Sequence, residues 1–116
     1  MNITDKSDDE LLAIAQPMWA DLIKYSNNQN YGLFTKHFSD DMLRGANEVE
    51  MGKQFARSEL TKNLSTEFDF LGTIRRGDYV TVVFRQKHKK QDGEWMGRLV
   101  LGYQDEIVKI FGATIF

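Results

Sequence analysis

The stretch YVTVVFRQKHKKQDGEWMGRLVLGY, residues 79–103, decides the fold. Apolar and polar side chains alternate on both sides of Asp92-Gly93, a dipeptide suited to a tight turn, so the stretch reads as two antiparallel strands. With those two residues as the turn, Gln91 faces Glu94, and counting outward pairs His88 with Gly97, Gln86 with Leu99, Phe84 with Leu101 and Val82 with Tyr103. One face then carries Val80, Val82, Phe84, Trp95, Leu99, Leu101 and Tyr103, and a one-residue slip of either strand would scatter that apolar set. This is the expected core face.

Two further turn signals extend the sheet on either side. Arg75-Arg76-Gly77 joins a preceding strand pattern, and a three-residue loop with Gly77 in the left-handed region brings Phe68 and Phe70 onto the core face, where a two-residue loop would put Glu67 and Asp69. Asp105-Glu106 joins a last strand and adds Val108, Ile110, Gly112, Thr114 and Phe116 to that face. The expectation is a four-stranded meander from about Thr66 onward. Its other face mixes Tyr79, Val83, Met96, Val100, Ile107, Phe111, Ala113 and Ile115 with charged residues, more apolar surface than water tolerates on an open sheet, so a second copy is expected to cover it.

Upstream the period is helical. Ser7-Asp8-Asp9-Glu10 is a capping box, followed by Leu11, Ala15, Met18, Trp19, Leu22 and Ile23 on one face. Pro17 removes the amide that would bond Ala13, so a kink or restart is expected there. A second short helix carries Tyr31, Phe34 and Phe38 and is closed by Ser39-Asp40-Asp41; a third is expected over Asn47 to about Leu64.

Size and charge narrow the function classes. A chain of 116 residues is one domain, 1–116, with a single core. Fifteen Lys plus Arg against seventeen Asp plus Glu leave a net charge of -2, which argues against nucleic-acid or anionic-membrane binding by overall charge. The absence of cysteine removes disulfides, thiolate metal sites and a Cys nucleophile. The acidic start, Met1 to Glu10, is unlike a secretion signal, and no apolar run is long enough to span a membrane, so a cytoplasmic location is expected. Two histidines, His37 and His88, lie 51 residues apart with no spaced partners, which makes a metal site improbable, and no glycine-rich phosphate or dinucleotide motif is present, so no cofactor is expected.

Gln86 and His88 are the anomaly in the decisive stretch, because they continue the core face past Phe84 where apolar residues belong. With Trp95 at the same end, and Gly97 leaving room beside His88, they form one wall of a candidate pocket mouth; Trp19, Tyr31 and Tyr103 are the aromatics expected to line its interior. The candidate ligand-binding set is therefore Trp19, Gln86, His88, Trp95 and Tyr103. Arg85, Lys87 and Lys89 project from the opposite face beside Arg98 as a basic stripe, read as a solvated guard against edge pairing, with contact to phosphates or an acidic partner as the alternative.

Three helices, a Phe38-Ser39-Asp40-Asp41 closure, a long meander and the terminal Ile107-Val108-Lys109-Ile110 strand together resemble the nuclear-transport-factor-like superfamily, which includes ketosteroid isomerase and polyketide cyclase relatives. The resemblance implies an α+β fold in which three N-terminal helices pack on a strongly curved antiparallel meander sheet, the cystatin-like cone, with an apolar pocket between them and dimers through the sheet's outer face. Steroid isomerases of that fold are expected to place a carboxylic acid on the core face of the penultimate strand, where this chain has Leu99 and Leu101. The sequence therefore points to a homodimer that binds a small, mostly hydrophobic molecule. An isomerase or cyclase using His88 as acid or base, with Gln86 and Tyr103 as hydrogen-bond donors, and a non-catalytic protein-interaction module with a filled interior remain the alternatives.

Overall fold

The computed structural model describes residues 2–45 and 60–116. Three helices, α1 (Asp8–Asn27), α2 (Tyr31–Phe34) and α3 (Asp40–Gly45), pack against an open antiparallel sheet of four strands in the order β1 (Leu64–Arg76), β2 (Tyr79–His88), β3 (Trp95–Gln104) and β4 (Ile107–Ile115). Most of the helix expected over 47–64 lies outside the described residues. At its end, Leu60–Lys62 form a 3-10 turn and Leu64 already opens β1. No helix among the described residues is long and apolar enough to cross a membrane.

α1 starts as its sequence dictates: the Ser7 hydroxyl accepts from the Glu10 amide at 3.2 Å, and the Glu10 carboxylate accepts from the Ser7 amide at 3.0 Å. Its apolar stripe, Leu11, Ala15, Met18, Trp19, Leu22 and Ile23, is buried against the sheet, while Pro17 sits exposed and α1 runs unbroken through it. Proline costs less on a helix's solvent side, where water can take the freed carbonyl. α2 is a single turn, and Asp40-Asp41 open α3 rather than close α2. The Ser39 hydroxyl accepts from the Met42 amide at 3.1 Å, and the acidic pair sits in the first helical turn, where carboxylates are favoured. Phe38 is held to the sheet edge, since Ser39 N donates to Ile110 O and Ile110 N to His37 O, both at 2.8 Å.

The expected core face is present, but three irregularities set its registers. β1 and β2 are joined by a two-residue turn, Arg76 opposite Tyr79 with Gly77 at φ 64°, and not by a three-residue loop. A bulge between Phe70 and Gly72 supplies the missing residue, so Phe70 still lies opposite Phe84 and Phe68 opposite Gln86. Between β2 and β3 the partners are displaced by four residues from expectation: Gln86 meets Trp95, Phe84 meets Gly97, Val82 meets Leu99 and Val80 meets Leu101. An even shift preserves the faces, and it follows from a longer connection, residues 89–94, with the pairing centred on Lys90-Gln91 rather than on Asp92-Gly93. On β4 a bulge between Ile110 and Gly112 reverses the facing beyond it, so Ala113 and Ile115, not Gly112, Thr114 and Phe116, pack against the core. Asp105 and Glu106 do form the tight turn, both at positive φ, 53° and 68°.

Candidate functional site

Gln86 sits on β2 with its side chain 0% exposed, between α1 and the irregular start of β1. A buried amide must find partners. Its Oε1 accepts from the Trp19 indole Nε1 at 2.9 Å, and its Nε2 donates to Ser65 O at 2.7 Å and Lys87 O at 2.9 Å. Both amide protons are thus spent within the chain, and the bond to Ser65 ties the irregular start of β1 to β2. Trp19 in turn stacks on Phe84, with ring centroids 5.3 Å apart and planes at 23°. Its ring fills the space over Gly97, where a Cβ would stand 2.4 Å from Trp19 Cζ2. Gly97 therefore makes room for Trp19, not for His88.

His88 closes the same strand at 9% exposure. Its Nδ1 accepts two backbone N–H groups, Lys90 at 3.0 Å and Gln91 at 3.1 Å, so the imidazole organises the loop that lengthens the β2–β3 connection. Its ring lies 5.8 Å from that of Trp95. Trp19, Gln86, His88 and Trp95 are thus brought together. Tyr103 is not among them: it pairs with Val108 at the other end of β3, eight residues and about 26 Å along the strand from Trp95.

Tyr103 instead lines a hollow of about 580 Å³ at the end of the sheet where the β1–β2 and β3–β4 turns meet α3. Asp40, Asp41, Asp78 and Asp105 line it with one cation, Arg44, which is ion-paired to Asp41. Asn2 Nδ2 donates to Asp78 Oδ1 at 3.0 Å, and Gln104 Oε1 accepts the Asp40 amide at 2.7 Å, so the wall is fixed by its own hydrogen bonds. The rings of Tyr79 and Phe111, edge to face at 5.1 Å, complete the lining. Four carboxylates against one guanidinium give this end a negative field, and aromatic faces add to its attraction for cations.

The acidic lining was missed in the sequence, although a signal for it exists: in a meander the first and third turns fall at one end, and both carry aspartate, as does the Asp40-Asp41 step. Among the described residues no group of three or more His, Asp or Glu is arranged to hold a metal ion. Elsewhere, the Asp8 carboxyl is held below its usual range by hydrogen bonds from Thr73 and Arg75. Burial, with Lys36 beside it, lowers His37. No protein-family model, curated protein or solved structure matches the chain.

Proposed function

We propose that the chain is a small-molecule-binding domain on the nuclear-transport-factor-like plan, and that its ligand, an organic cation with some apolar surface, sits in the turn-end hollow. The hollow itself carries the reading. Its volume of about 580 Å³ is in the range of ordinary ligand pockets, and its lining joins aspartates to the rings of Tyr79, Tyr103 and Phe111. The polar groups at the other end are already committed, Gln86 to Trp19 and Ser65, and His88 Nδ1 to the loop. That commitment also weakens the reading of His88 as an acid or base. A mostly hydrophobic ligand would leave the hollow's carboxylates poorly solvated, so a cation replaces it in the proposal. The cone-like curvature the plan requires is supported by the bulges in β1 and β4, since bulges bend and twist the strands that carry them.

Calorimetric titration of the purified protein with spermidine and with benzyltrimethylammonium tests this. Saturable one-to-one binding of either probe, weakened severalfold by Asp40→Asn with Asp105→Asn or by Tyr103→Ala, is expected. Binding of neither probe, or binding indifferent to all of these substitutions, overturns the proposal.

A further inference from the structure

Ile3 is at once a fully buried member of the core and part of the lining of the turn-end hollow, so one side chain separates the two. It sits in the 3-10 turn Ile3–Asp5, which lies against β2 and β3. Among the described residues the backbone bonds of this turn, Asp5 N to Asn2 O at 3.0 Å and Lys6 N to Ile3 O at 3.2 Å, stay within it. Side chains fasten it to the sheet. Asn2 Nδ2 donates to Asp78 Oδ1 at 3.0 Å, on the β1–β2 turn. From β1, Arg75 Nε donates to Thr4 O at 3.2 Å, and its Nη2 donates to Lys6 O and to Asp8 Oδ1, both at 2.8 Å. These bonds are solvent-exposed, so water replaces each as it breaks, and Ile3 is the buried residue that holds the turn down.

We infer that residues 2–6 form a releasable strap that competes with the cationic ligand for Asp78 and, once displaced, opens the hollow toward the core. The inference rests on the reading of the hollow as a cation site and names how that site is regulated. Asp78, one of the hollow's four carboxylates, serves Asn2 while the strap is closed. A cation brings that carboxylate a full charge where Asn2 offers an amide dipole, so ligand and Asn2 contend for the same oxygen. The contest reaches the whole turn, because the same side chain caps it: Asn2 Oδ1 accepts from Thr4 N and from Thr4 Oγ1, both at 3.0 Å. Withdrawal of Ile3 then adds the space of its side chain to the hollow. Coupling of this kind is reciprocal, so the factor by which release tightens the ligand is the factor by which the ligand favours release. Arg75 holds the strap from outside the hollow's lining, so the latch can be weakened without changing a group that lines the site.

Arg75→Lys and Asn2→Ala test this, with two readouts on each: amide exchange followed by nuclear magnetic resonance, and calorimetric titration with spermidine. Arg75→Lys keeps the charge but loses the planar fork that reaches Thr4 O, Lys6 O and Asp8 together. Without ligand, both variants should exchange faster than the parent at Asp5 and Lys6, with Phe84 and Leu99 unchanged. Both should bind spermidine roughly 5-fold or more tightly than the parent, and spermidine should speed exchange at Asp5 and Lys6 in the parent itself. Unchanged exchange at Asp5 and Lys6 in both variants overturns the strap. Faster exchange with spermidine binding equal to or weaker than the parent's overturns the competition and leaves the cation site standing. Failure of parent and variants alike to bind spermidine removes the cation site, and the competition with it.

Discussion

Replacing Gly97 by alanine should destabilise the protein by several kcal/mol, although on propensity alone the exchange is favourable. In a strand whose backbone accepts a side chain, Gly→Ala gains about 0.4–1 kcal/mol by restricting the unfolded chain. Here the new methyl group would stand 2.4 Å from Trp19 Cζ2 and 2.7 Å from Cη2, inside any permissible contact. The indole has no free direction to retreat. Phe84 stacks on it at 5.3 Å, and its Nε1 is tied to Gln86. Overpacking of this kind costs about 1–3 kcal/mol. If the ring moves far enough to break the Trp19–Gln86 bond, an amide oxygen 0% exposed loses its indole donor, at about 1–3 kcal/mol more. The net expectation is about 2–5 kcal/mol, a large part of the roughly 5–15 kcal/mol that holds a domain together. Urea unfolding followed by far-ultraviolet circular dichroism measures it. A stability within about 0.5 kcal/mol of the parent would refute the reasoning, because it would mean that the Trp19 ring does not occupy the space over Gly97.

Gln86→Leu alone should cost about 1–3 kcal/mol by stranding the Trp19 indole N–H. Adding Trp19→Phe should recover part of that in a double-mutant cycle, and strictly additive losses would argue against the hydrogen bond. His88→Ala removes the acceptor of the Lys90 and Gln91 amides, so hydrogen exchange at those two positions should accelerate, with exchange in the middle of β2 unchanged. Asp8, whose carboxyl is depressed by Thr73 and Arg75, stabilises the fold when ionised; the unfolded chain takes up that proton first as pH falls, so stability is lost on descending through the folded-state pKa. Asp8→Asn should flatten the acid limb of a stability-against-pH curve, and an unchanged limb would contradict the pairing.

The strands, their faces and α1 were legible because each is written in side-chain period, two for the sheet and 3.6 for the helix. The registers were less so. Bulges at Phe70/Gly72 and at Ile110/Gly112 leave no signature that separates them from a change in turn length, and the His88 cap that lengthens the β2–β3 loop is a tertiary device. Parity survived the four-residue displacement between β2 and β3, and for that reason Val80, Val82, Phe84, Leu99 and Leu101 are buried as read. Gln86, His88 and Trp95 share one end of the sheet as their strand positions imply, whereas Trp19, read as lining the interior with Tyr103, is joined to Gln86 by a hydrogen bond only coordinates reveal, and Tyr103 stands at the opposite end. The turn-end hollow depends on Asp40, Asp78 and Asp105, which lie far apart in sequence and meet only through the closing of the meander.

The most direct test of where this protein binds is an amide and indole nuclear magnetic resonance titration with spermidine. Binding in the turn-end hollow predicts saturable shifts at Asp40, Asp41, Asp78, Tyr103 and Asp105, with the indole N–H signals of Trp19 and Trp95 unmoved. Shifts concentrated at Trp19, Gln86 and His88, with the turn-end residues silent, would contradict it and return the site to the space between α1 and the sheet.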